Sequence, residues 1–176
     1  MKRDDSLEGL NLEDFDHRIL KHIIEIAGNE TSRKMHARKA IVRMGEEMLL
    51  EVTKLLSAKN KVIRWEAAKI LQQISSEKSI PDLIQLLEDD DSDIRWIAAV
   101  GLIDIGRKSI NPLLHEIINN NNSEFLRSGA HHILMKLLKP EEKKKYKSLL
   151  KSLKTTAVSG EVASFEAEKT FVDLNK

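Results

Sequence analysis

Histidines and acidic residues are the side chains of this sequence that could bind a metal ion. His131 and His132 are neighbours in a segment with helical periodicity, so their side chains point about 100° apart and are poorly placed to chelate one ion. The acidic run at residues 88–93 begins like a calcium loop, but it lacks the glycine at its sixth position and the glutamate at its twelfth. A solvated loop is the favoured interpretation, and the sequence predicts neither a metal site nor a cofactor.

Nucleophilic and nucleotide-dependent catalysis have no motif in this sequence. It contains no cysteine, and no serine lies in a Gly-x-Ser-x-Gly motif. No glycine-rich loop precedes a Lys-Ser or Lys-Thr pair, and no strand pattern is present to hold one. We therefore favour a protein that is not an enzyme. The lack of cysteine also agrees with a reducing compartment, and we expect a cytoplasmic location.

A basic residue recurs about every 31 residues at the head of four similar segments. These residues are Lys34, Arg64, Arg95 and Arg127. Guanidinium groups one repeat apart would align in a row, which could bind phosphate groups. The alternative is a structural ladder of ion pairs with loop acids such as Asp93 and Glu124. We favour the structural ladder, because the basic residue returns with the repeat itself.

Trp65 and Trp96 are the two tryptophans of the chain, and each directly follows a repeated arginine. On a helix they lie roughly opposite the stripe of small residues. They could form an outer aromatic patch with Val100 and Ile103, or each could pack against a neighbouring first helix. We favour packing and assign both tryptophans to the scaffold.

The elements that position these residues are pairs of amphipathic helices. In each repeat a first apolar stripe follows the basic residue, and a second stripe follows the first at helical spacing. Pro81 and Pro112, also 31 residues apart, lie near the predicted starts of second helices, where the missing N–H costs no hydrogen bond. Polar segments between repeats supply turns and N-capping candidates, among them Ser92 and Ser123.

The segment DIRWIAAVGLIDIG at residues 93–106 resembles the short HEAT-like repeats of phycobilisome lyases and their relatives. In that pattern an aspartate, an aliphatic residue and an arginine precede Ala-Ala-x-x-Leu. The resemblance covers about residues 30–153. It implies an all-α fold, a right-handed α-solenoid (α-α superhelix) of about four HEAT-like helix pairs, with an N-terminal cap helix over the first pair.

The predicted boundaries follow from this repeat. A flexible segment is expected at 1–12 and the repeat domain at 13–153, with the cap helix at 13–28. The repeats are expected at about 30–58, 61–88, 92–119 and 123–153. Residues 154–176 leave the period and form a C-terminal tail, and the sequence leaves open whether this tail docks or is mobile.

Second helices usually line the concave side of such folds, so their non-apolar positions should form rows. With the 31-residue offset the rows are Glu47, Lys78 and Ser109; Glu51 and Asp82; and Lys54, Gln85 and Glu116. This mixed, mildly acidic surface suits a protein or peptide partner better than a polyanion. A non-enzymatic interaction module or adaptor is therefore the leading hypothesis, with no prediction of partner identity or oligomeric state.

Two alternative functions rest on other features. The repeat resemblance alone suggests a bilin lyase or chromophore chaperone. The lysine-rich end, with nine basic and two acidic residues at 127–154, could bind nucleic acid, but a solubilising terminal repeat is favoured.

His115-Glu116 is similar to the His-Glu pairs of the di-iron HEAT-repeat deoxyhypusine hydroxylases, which need several pairs, and here there is one. No apolar run approaches the roughly 18 to 20 residues that span a bilayer, so no membrane insertion is expected.

Overall fold

The protein is all-α throughout the ranges that the computed structural model describes, residues 7–120, 122–154 and 159–176. The predicted fold class is thereby confirmed. The chain divides into two compact units, Met1–Ser79 and Ile80–Lys176. The boundary falls inside the predicted repeat 61–88 and separates its two helices. Of the N-terminal segment predicted to be flexible, residues 1–6 lie outside the described ranges.

In its described residues, 7–79, the first unit contains four α-helices, α1 (His17–Ala27), α2 (Thr31–Met44), α3 (Leu49–Leu55) and α4 (Lys61–Ile74). Short 3-10 turns at Leu12–Asp14 and Gly45–Met48 precede α1 and α3. Asp16 starts α1 by accepting a hydrogen bond from the Arg18 N–H, and Asn60 starts α4 in the same way through the Val62 N–H. Helix α1 packs on α2 and α4, and α3 packs on α4, which buries an isoleucine-rich core.

The second unit contains α5 (Ile80–Gln85), α6 (Ser92–Ile105), α7 (Ile110–Asn119), α8 (Glu124–Leu137), α9 (Pro140–Lys145), α10 (Lys147–Lys154) and α11 (Gly160–Leu174). Helix α5 is short and packs against α6 and α7, while α6 and α8 pack on each other. Ser123 caps α8 as expected, but Asp91 and not Ser92 caps α6. Gly106 ends α6 with φ +87°, a conformation that favours glycine.

Part of the C-terminal tail forms α11, which docks on α7 and α10. Its buried face carries the small residues Gly160, Ala163, Ala167 and Thr170, so the helix axes can approach closely. Ser164 Oγ donates to the Ile118 carbonyl at 3.1 Å. Asp173 accepts from Tyr146 Oη at 3.0 Å and pairs with Lys145 Nζ at 2.5 Å. Residues 155–158 of the tail lie outside the described ranges.

Candidate functional site

The repeated arginines brace the loop that leads into their own helix. Arg64 Nη1 donates to the carbonyls of Ala58 and Lys59 at 3.0 and 3.1 Å. Arg95 Nη1 donates to the carbonyls of Asp89 and Asp90 at 2.6 and 3.1 Å. These bonds end on backbone oxygens, whereas the ladder hypothesis named loop carboxylates. The assignment of both arginines to the scaffold stays a prediction.

The other two ladder positions differ in exposure. Arg127 is buried in α8, and Lys34 is half-buried in α2. Lys34 helps to lower the pKa of Glu66, although burial outweighs this effect and leaves that pKa raised overall. Glu66 is paired with Arg38 Nη1 at 2.7 Å between α4 and α2. A phosphate-binding row along these positions has no support from this arrangement.

Both tryptophans contact an adjacent first helix. The Arg38 guanidinium of α2 lies 5.6 Å from the Trp65 ring centroid. The Trp96 ring lies 4.9 Å from the ring of His132 in α8, yet Trp96 remains 57% exposed. It lines a groove of about 480 Å³ with Phe125, over which the Arg95 guanidinium stacks at 4.0 Å. Each tryptophan thus contacts the neighbouring first helix, and the Trp96 ring stays largely exposed.

In the first unit, the predicted binding positions divide into surface and scaffold. Glu47 is exposed and accepts from Arg18 Nη1 at 3.2 Å. Lys78 is exposed and pairs with a glutamate of its own unit. Glu51, by contrast, is only 8% exposed and accepts from the Asp16 N–H at 3.0 Å. Lys54 donates to Glu51 at 2.8 Å. Glu51 is therefore removed from the proposed binding surface, because its carboxylate holds the start of α1.

In the second unit, one further prediction needs correction. Ser109 is completely buried, and its Oγ donates to the Leu102 carbonyl at 2.8 Å. This hydrogen bond satisfies a carbonyl near the end of α6, and the buried side chain cannot contact a partner. Asp82 is half-exposed in α5, Gln85 is exposed, and Glu116 is half-exposed in α7. Three predicted positions of this unit therefore remain at the surface.

Gln85 and Glu116 meet in one groove between α5 and α7. The groove has a volume of about 460 Å³. Its remaining lining residues are Pro81, Ile84, Glu88, Pro112, His115 and Asn120. Most of them are repeat partners, since 31 residues separate Pro81 from Pro112, Ile84 from His115, and Gln85 from Glu116. The sequence prediction named two of these residues as binding positions, Gln85 and Glu116. The same offset relates Pro81 to Pro112 and Ile84 to His115, but it does not relate Glu88 to Asn120.

The polar wall of the groove is held in place by hydrogen bonds. Glu88 accepts from Asn120 Nδ2 at 3.3 Å and from Ser123 Oγ at 2.7 Å. Asn119 Nδ2 donates to His115 Nδ1 at 3.0 Å. Glu116 adds a second carboxylate, while Pro81 and Pro112 supply apolar surface. This combination can accept hydrogen bonds and attract positive charge beside an apolar contact.

Within the described part of the chain, no three histidine, aspartate or glutamate side chains lie together as a metal site would require. Across the same residues, no helix combines the length and apolar character needed to cross a bilayer.

Comparison with known proteins identifies the repeat. A family model described as HEAT repeats matches residues 12–103 and again residues 80–164. The two overlapping matches together run from residue 12 to residue 164, which is most of both units and the start of α11. No curated protein and no solved structure matches the chain.

Proposed function

The chain belongs to the HEAT-repeat family, and from this premise we propose that it is a non-enzymatic adaptor that binds a peptide segment of another protein between α5 and α7. HEAT repeats generally mediate protein interactions by presenting side chains from successive repeats on one surface. The observation that carries the proposal is the groove in which Gln85 and Glu116, one repeat apart, lie together.

The chemistry of the groove favours a peptide with basic and apolar side chains. Glu88 and Glu116 are the charged residues of its lining, apart from the titratable His115. A lysine or arginine of the peptide would be attracted by these carboxylates, and an adjacent apolar side chain would contact Pro81 and Pro112. A polyanion would be repelled by the same carboxylates.

Selection from a random peptide library on the purified protein tests this proposal. We expect the recovered peptides to be enriched in basic residues next to apolar ones. Glu116→Lys should weaken their binding about tenfold, or roughly 1.4 kcal/mol, in a fluorescence anisotropy titration. Glu116 is the residue to change because Glu88 also holds the Ser123 cap of α8.

Glu13→Lys is the matched control, because Glu13 is an exposed acid in the other unit. Its affinity for the peptides should stay within about twofold of the wild-type value. Equal affinities of the wild-type and Glu116→Lys proteins would place the binding site elsewhere. Recovery of acidic peptides would contradict the proposed partner chemistry.

The narrower functional predictions are unchanged by the family match. The phycobilisome-lyase subtype and the bilin-lyase alternative still rest on repeat resemblance alone. Co-expression with a bilin and its apoprotein would give a coloured adduct if the alternative held. The cytoplasmic location also remains a prediction from composition.

A further inference from the structure

The outward face of α11 carries more apolar surface than a helix facing only water needs. Phe165 is 64% exposed, Val172 is 51% exposed and Val162 is 46% exposed. Their spacing places them on one stripe of this 15-residue helix, opposite the small residues that pack on α7 and α10. Such a stripe marks an interaction surface, because removing it from water would be favourable.

The charged residues at the middle of α11 flank this stripe with opposite signs. At about 100° per residue, Val172 lies roughly 20° from Phe165 around the helix. Glu168 lies roughly 60° away on the same side, and Lys169 roughly 40° away on the other side. Glu168 and Lys169 therefore lie on opposite sides of the Phe165–Val172 pair. Val162, roughly 60° from Phe165, extends the apolar surface beyond Lys169 toward the start of the helix.

We propose that this face of α11 binds a second copy of the chain, with the two helices parallel across a two-fold axis. In a two-fold interface each edge of the parallel helix meets the opposite edge of its partner. Phe165 and Val172 then pack near the axis, and each Glu168 faces Lys169 of the second copy. In an antiparallel pair like edges meet, so Glu168 would face Glu168.

The surroundings of α11 are compatible with this contact. Phe165, Val172 and Lys169 also line an open groove of about 600 Å³ beside Tyr146. Asp173, on the Lys169 side, is already neutralised by Lys145 at 2.5 Å. It therefore adds little repulsion toward Glu168 of the second copy. The contact is small, so we expect dimers to form in the micromolar range and above.

Sedimentation equilibrium of the full chain over about 1–200 µM tests the proposal. The mass should rise from 20.1 kDa toward twice that value. Phe165→Ala should weaken dimerisation at least about tenfold, and it should not unfold the chain because the side chain is largely exposed. Monomers at every concentration would overturn the proposal and leave the face for a different partner.

Charge exchange tests the register. Glu168→Lys and Lys169→Glu should each weaken the homodimer, because each places like charges across the interface. Mixing the two variants should restore a dimer with an affinity within about threefold of the wild-type value. Failure of the mixture to associate, with both variants folded by circular dichroism, would contradict the pairing of Glu168 with Lys169.

A disulfide tests the orientation, since the natural chain has no cysteine. Val172→Cys lies near the proposed axis and should form a covalent dimer under mild oxidation. Glu13→Cys, at an exposed site in the other unit, provides the background rate. Equal crosslinking of the two variants would overturn the parallel arrangement.

Discussion

His131 is the histidine whose environment most clearly disfavours a proton. It is partly buried in α8, and this burial, followed by the nearby charges of Lys154 and His132, lowers its pKa below the ordinary value of 6.5. The unfolded chain therefore binds the proton more readily than the folded one. The contribution of neutral His131 to the free energy of unfolding is fully present above about pH 6.5. This contribution is lost as the pH falls through the lowered pKa.

We expect the Tm of the wild-type protein to fall more between pH 7.5 and pH 5.5 than that of His131→Gln. The ring is only partly buried, so the falls in Tm of the two proteins should differ by about 1 °C. An NMR titration would give the pKa directly, and Lys154→Gln should raise it by removing a nearby positive charge. A wild-type His131 pKa at or above the ordinary value would contradict this account.

At the level of residues, part of the candidate site could be predicted from the sequence. Gln85 and Glu116 were predicted from the repeat offset, because equivalent positions on neighbouring second helices come together. Glu51 and Ser109 occupy equally polar positions, yet both are buried. Their burial depends on partners that the helical period does not encode, namely the N–H of Asp16 and the Leu102 carbonyl.

At the scale of elements, α11 depends on its small buried residues. Ala163 and Ala167 are completely buried where α11 docks on α7 and α10. Ala167→Leu would overfill this contact, and we expect a loss of about 1–3 kcal/mol in the free energy of unfolding. Thermal unfolding would measure the loss, and limited proteolysis within residues 159–176 would show whether α11 has detached.

Val62→Leu is the control for this substitution, because it adds a methylene at an exposed position outside the proposed dimer face. Its unfolding temperature and proteolysis rate should remain close to the wild-type values. Equal protection of Ala167→Leu and wild type would mean that the α11 contact tolerates bulk and is looser than the small residues imply.

The docking of α11 was not predictable from the sequence, because its buried residues are small. A docking helix is usually recognised by large aliphatic residues at helical spacing, whereas the buried face of α11 consists of glycine, alanine and threonine. Its larger residues, Phe165 and Val172, point outward instead. The apolar pattern therefore marked the exposed face more strongly than the buried one.

At the scale of the whole molecule, the repeat made the fold class predictable. Basic residues about 31 positions apart, with two apolar stripes after each, specify helix pairs whatever the sequence of the surface. The division into two compact units was not predictable. It separates α4 from α5, and α5 is only six residues long. Nothing in the repeat period distinguishes the connection between α4 and α5 from the other connections between helices.

Charge is the whole-molecule property that decides between protein and nucleic-acid partners. The net charge is +1, although the lysine-rich end is strongly basic. Part of that basic charge is paired, since Lys145 contacts Asp173 at 2.5 Å. Arg107 contacts Glu142 through both Nη atoms at 2.7 and 2.8 Å. These pairs lower the pKa values of Asp173 and Glu142 through their hydrogen bonds, so both carboxylates stay ionised at neutral pH.

We expect any complex with DNA or RNA to disappear by about 150 mM salt, because binding through exposed lysines depends on the release of counterions, which added salt opposes. Electrophoretic mobility shifts from 20 to 200 mM salt, with single-stranded and duplex oligonucleotides, would measure this. Lys147→Glu with Lys151→Glu should abolish weak retention at low salt, whereas Lys21→Glu, an exposed lysine of α1, should not. A complex that persists at 150 mM and is lost in the double variant would make the lysine-rich end a nucleic-acid site. In that case the acidic groove between α5 and α7 would have to serve a separate partner, because its carboxylates repel phosphate.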